Sequence, residues 1–128
     1  MYYDAGEGAM KEITRLLSAI ADPIRLRLLR LLHRQELCVC ELMEALQLPQ
    51  YKVSRHLREM RQVGLVVARR SGRWMHYHIN GAAMRSPLHQ DLLKLLDVHL
   101  RDFPDARRDD ARLAKRLARG RADCYVCR

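Results

Sequence analysis

Four cysteines carry most of the chemistry open to this chain of 128 residues. Cys38 and Cys40 flank a valine in ELCVCEL, and Cys124 and Cys127 stand near the end in CYVC. The thiolate is the nucleophilic and metal-binding form of cysteine, and it selects soft or borderline ions. Two thiols at i and i+2 project about 200° apart on a helix and cannot share one ion there. In an extended segment they lie on the same side. The spacing therefore asks for a place where extended backbone meets a helix. ELCVCEL provides one if Cys38 is extended and Cys40 is the N-cap of a helix, because an N-cap residue has β-region dihedrals. A thiolate there is favoured by the helix dipole, which lowers its pKa. Cys124 or Cys127 could supply a third sulfur, and all four thiolates together could make a tetrahedral site for Zn(II) or Cd(II).

Short helices must position these thiols. From Ala9 onward, Ile13, Leu16, Leu17 and Ile20 recur at helical spacing. Asp22 is a good N-cap and Pro23 suits the first position of a second helix, which reaches about Leu32. Its apolar residues nearly encircle it, so it should be buried with its arginines at the rim. A third helix is expected from about Glu41 to Leu46. Pro49 separates it from a fourth, in which Val53, Leu57 and Met60 share one face and Lys52, Arg55, His56 and Arg58 lie largely on the other. Gly64 ends that helix. Beyond it the period changes to two, giving a two-stranded hairpin with Arg69, Arg70 and Arg73 at its tip. Ser86-Pro87 opens a leucine-rich fifth helix. The charge-rich segment after Pro104 reads as a short extra helix or a flexible extension. The expected organisation is a loose lead-in over 1–8, one domain over 9–101 and a charged tail over 102–128.

The totals narrow the class. Hydrophobic residues make up 48% of the chain and aromatics 5%, which suits leucine-rich helices better than a β-sandwich. The net charge of +9 favours a polyanionic partner. No apolar run approaches a membrane span, and MYYDAGEGAM lacks the pattern of a secretory signal. A cytoplasmic protein with reduced, metal-binding or reactive cysteines is the expectation. Neither a glycine-rich phosphate loop nor a paired acid–base constellation points to an enzyme.

Two short helices joined by a tight turn, followed by a basic-tipped hairpin, make a winged helix-turn-helix. The fold class is mainly α with a β-hairpin wing. In such a module the second helix enters the major groove of double-stranded DNA. Gln50, Ser54 and His56 are suited to base edges, and Lys52, Arg55 and Arg58 to bases or phosphates. Arg69, Arg70 and Arg73 should neutralise phosphate or enter the minor groove.

ADPIRLRLLRLL, ELCVCELMEAL, SRHLREMRQVGLV and RRSGRWMHYHIN, in that order and spacing, resemble the arsenical-resistance repressor (ArsR/SmtB) family over roughly residues 10–100. The resemblance implies a homodimeric repressor joined through its first and fifth helices. It would bind an imperfect operator palindrome and release it when a metal or metalloid binds. ELCVCEL is most similar to the arsenic-sensing members, which implies As(III) or Sb(III) as inducer and Cys38 and Cys40 as ligands. Those members place a third cysteine three residues after the second, where this chain has Met43. Other members sense Cd(II) or Pb(II) through a Cys-x-Cys pair. Some hold Zn(II) between fifth helices with an Asp-x-His pair and two later donors. Asp97 and His99 match the first half of that pattern, but Asp110 and Leu113 leave it one donor short. A thiol redox regulator and a metal-storage protein are the readings from other classes.

Overall fold

The computed structural model describes the backbone of residues 2–120 and the side chains of residues 8–120. Helix α1 spans Tyr2–Ile20, so it begins inside the stretch whose composition suggested a loose lead-in. Helix α2 spans Pro23–Arg34. Asp22 caps it as expected, its carboxylate accepting the N–H groups of Ile24 at 2.8 Å and Arg25 at 3.1 Å. Strand β1, Leu37–Cys38, leads into α3, Val39–Leu46. Helix α4 covers Gln50–Gln62. Strands β2 (Val66–Ser71) and β3 (Trp74–Ile79) form the hairpin. Gly72 has φ 61° at the first position of its two-residue loop, a conformation that favours glycine. After a short 3-10 turn come α5, Pro87–Leu100, and α6, Pro104–Arg119.

Leucines of α2, α3 and α4 meet in one core, joined by Leu16 and Ile20 of α1 and by Leu93 and Leu96 of α5. The sheet has three strands, in the order β1-β3-β2, where the period-two pattern had indicated two. Leu37 lies opposite Tyr77, and Cys38 opposite His76. A two-residue strand is too short to show alternation, but it ties the first cysteine to the hairpin.

Helix α6 is the helical alternative for the segment after Pro104. Pro104 stands in its first turn with Asp105, Arg116 and Arg119 in its last turn, and Gly120 beyond its end. These choices match the helix dipole and the rules for stopping a helix. Ala106 and Leu113 are buried, and so are Asp109 and Arg116. The helix lies along α3 and also touches α2. This covering corrects the expectation that the arginines of α2 sit at a rim. Arg30 is only 2% exposed. Its guanidinium donates to the Ala106 carbonyl at 3.0 Å and pairs with Asp110. The arrangement of α3, α4 and the hairpin is a winged helix-turn-helix.

Candidate nucleic-acid interface and thiol site

Helix α4 buries Val53, Leu57 and Met60, as its spacing predicts. Gln50, Arg55 and Arg58 are exposed, and Lys52 and Ser54 half-buried. Tyr51, 65% exposed at the start of the helix, joins this face. Its signal in the sequence is an aromatic set among polar and basic residues in QYKVSRH. His56 does not belong to the face. It is 4% exposed and turned into the body. Its Nδ1 accepts from Arg25 Nε at 3.1 Å and lies 4.0 Å from Asp22. Burial lowers its pKa, against the pull of Asp22 and with the push of Arg25. A neutral ring that accepts from Arg25 positions α2 and α4 instead of reading a base.

The three hairpin arginines also differ. Arg70 and Arg73 are exposed near the tip, and Arg73 stacks over the Trp74 ring at 4.9 Å from its centroid. Arg69 is held lower down. Its Nε donates to Glu36 at 3.1 Å, and this bond keeps the Glu36 carboxyl below its ordinary pKa. His78 Nδ1 lies 3.1 Å from the same carboxylate. Arg69 therefore braces the hairpin against the α2–β1 connector.

At the thiols the structure moves the helix start by two residues. Cys38, not Cys40, is the N-cap, with φ −92° and ψ 168°. Its side chain accepts the Glu41 N–H, and the Glu41 carboxylate accepts the Cys38 N–H at 2.8 Å. This is a capping box with sulfur in place of the usual oxygen. Cys-Val-Cys-Glu has the spacing of that motif, a signal the sequence reading did not use. Both cysteines are buried, Cys38 fully. Cys40, inside the helix, faces a cavity of about 310 Å³ between α3 and α6. Met43, Glu44, Arg116 and Arg119 share its lining. Cys40 takes part in a disulfide. Cys124 and Cys127 lie outside the described residues. Among the described residues, no three His, Cys, Asp or Glu side chains are grouped to hold a metal ion. The Asp-x-His pattern is committed elsewhere. Asp97 accepts from Arg34 at 3.0 Å, Leu113 is buried in the core, and Asp110 pairs with Arg30.

Residues 22–67 match a family model described as bacterial regulatory protein, arsR family. Over 106 residues the chain is 37% identical to the arsenic resistance transcriptional regulator ArsR1 of Pseudomonas putida, covering 80% of this chain and 76% of that one. It is 43% identical over 67 residues to the arsenical resistance operon repressor of Escherichia coli, covering 52% of this chain and 57% of the relative. Among solved structures, the transcriptional regulator HlyU of Vibrio vulnificus superposes with a TM-score of 0.62 at 35% identity, over 77% of this chain and 97% of that one. The homodimeric winged helix-turn-helix domain of Mb0332 from Mycobacterium bovis gives 0.63 at 28% identity, over 79% and 93%.

Proposed function

The chain belongs to the ArsR family of bacterial regulatory proteins and is a DNA-binding transcriptional repressor, not an enzyme; from that premise we propose that it releases its operator when As(III) or Sb(III) binds Cys38 and Cys40. One observation carries the reading. The helix that holds Cys40 and is capped by Cys38 is followed by the exposed basic helix after a turn of three residues, 47–49. A ligand that re-aims α3 therefore acts on α4 directly.

Gln50, Tyr51, Lys52, Ser54, Arg55 and Arg58 form the DNA-reading face. Arg70 and Arg73 add phosphate contacts from the wing. In the reduced protein Cys40 is the thiol that faces the cavity beside α6. Cys38 is buried at the cap, so ligand binding there must open the capping box with Glu41. That opening is the distortion that couples the ion to the helix. A third donor is Cys124, Cys127 or an exogenous thiol, because the thioether of Met43 is weaker than a thiolate. Cd(II), Pb(II) and Zn(II) are the alternative inducers on the same thiols. Two copies pair through α1 and α5. Met10 and Leu17 of α1, and Leu88, Leu95 and Val98 of α5, are the exposed apolar residues that suit such a contact.

A second reading has its own observation. The disulfide at Cys40 means that another sulfur reaches it, as both a soft-ion site and a redox switch require. Fluorescence anisotropy of labelled duplex DNA with reduced protein, titrated with As(III), Cd(II) or Zn(II), separates the readings. The metalloid reading expects release by As(III), reversed by a dithiol. Release on oxidation alone, with no response to any ion, transfers the function to the redox switch. Cys40→Ser should bind DNA as the parent does and fail to release it.

A further inference from the structure

We propose that α6 is a brace that sets the helix-turn-helix, and that Asp109 is the positioning residue that aims two arginines at the end of α3. The proposal rests on the reading that α4 contacts DNA. The last carbonyls of a helix lack intrahelical partners and must find others. Met43 O takes the N–H of Gln47 and, at 3.1 Å, that of Leu48. Three carbonyls follow. Glu44 O accepts locally, from the Gln47 side chain at 2.8 Å. The other two are reached from elsewhere in the fold. Ala45 O accepts from Arg112 Nε of α6 at 2.8 Å, and Leu46 O accepts from Arg27 Nη2 of α2 at 3.0 Å.

One carboxylate aims both donors. Asp109 is fully buried, and it accepts from Arg27 Nε at 2.9 Å, Arg27 Nη2 at 2.8 Å and Arg112 Nη2 at 2.9 Å. A guanidinium is a rigid planar fork, so a bond on one edge fixes the direction of the others. Asp109 thereby holds two successive carbonyls of α3 in place. Gln47, in the left-handed region at φ 57°, then turns the chain into α4. With only three residues between the helices, the place where α3 ends decides how α4 is presented. The same α6 walls the cavity at Cys40 through Arg116 and Arg119. A ligand that displaces α6 there loosens the brace at its other contact with α3.

The test uses the full-length chain and a duplex enriched from a random pool by the wild type. Affinity is read by anisotropy across a salt series, with a thermal melt of each variant. Arg112→Gln should melt cooperatively, bind about tenfold more weakly and keep the salt slope of the wild type. Arg112→Lys should recover most of the affinity, since an ammonium still reaches Ala45 O. Asp109→Asn should weaken binding in the same direction; if it does not fold, Arg112→Gln decides alone. A folded Arg112→Gln within twofold of wild type overturns the brace. So does a salt slope lowered by about one, which makes Arg112 a phosphate contact. Loss of folding in Arg112→Gln also overturns it, leaving a contact for stability only. A wild type that enriches no duplex overturns the DNA reading itself.

Discussion

His56 sits on the helix we propose reads DNA but serves the body of the protein. Its native pKa is depressed, chiefly by burial, so the unfolded chain takes up a proton at a pH where the native chain does not. Over that window the unfolded state binds more protons, and stability falls as pH drops through the ordinary histidine range. His56→Gln keeps an acceptor for Arg25 and removes the titration. Its melting temperature should fall less steeply between about pH 7 and pH 5 than that of the parent. The inward turn of this ring follows the helical period: Val53, His56, Leu57 and Met60 stand at i, i+3, i+4 and i+7 on the buried face, and Arg55 falls on the opposite side. Grouping His56 with its basic neighbours by residue type hid that spacing, and the approach of Arg25 and Asp22 then gives the buried ring its partners. The thiols were legible in part. Extended backbone does meet a helix within ELCVCEL, but Cys40 lies inside that helix and not at the cap that the i, i+2 spacing asked for. The N-cap lies at Cys38 because Glu41 stands three residues later and can close the box.

At the scale of elements, α6 changes the meaning of α2. An encircling apolar pattern announced a buried helix, and α2 is one. The fate of Arg30 was not readable from it, because the carbonyl and carboxylate that receive this side chain belong to a helix near the other end of the chain. Charge hid α6 in the same way, since its buried stripe contains Asp109 and Arg116 beside Ala106 and Leu113. Buried ions that are answered by half-exposed partners on other helices look, in sequence, like a solvated tail. Removing Asp109 takes the shared carboxylate from Arg27 and Arg112, which are 24% and 30% exposed and keep their carbonyl partners on α3. Asp109→Ala should cost about 2 kcal/mol of unfolding free energy, read as a lower urea midpoint. Arg108→Ala removes only the exposed pair with Asp105 and should cost under about 1 kcal/mol.

For the whole molecule, the fold class and the order of the first five helices and the hairpin followed from caps, prolines and changes of period; strand β1 did not, and α6 stood open between a helix and an extension. Nor did the assembly follow, because a leucine-rich helix can face a core or a partner. The structure buries one side of α5 and leaves apolar residues exposed on another. Leu93 and Leu96 are buried, while Leu95 is 53% exposed with Leu88 and Val98 beside it on the surface. Placing a charge on that surface should break the pairing we propose and leave each core intact. Leu95→Glu is expected to elute as a monomer by light-scattering chromatography, with a melt still cooperative. Its affinity for an operator with two half-sites should drop by at least about tenfold, because a lone reading helix loses the gain of linked binding. Among the described residues no helix is long and apolar enough to cross a membrane.

The hairpin tip has an optical consequence. Trp74 is the single tryptophan of the chain, and Arg73 lies across its ring. Every photon of indole emission therefore originates beside the turn that carries the wing's outermost charge. A phosphate that draws Arg73 away removes a cation from the face of the emitting ring. The protein thus carries its own fluorophore at one edge of the DNA contact we propose, and binding of unlabelled duplex there should change the colour and intensity of that light.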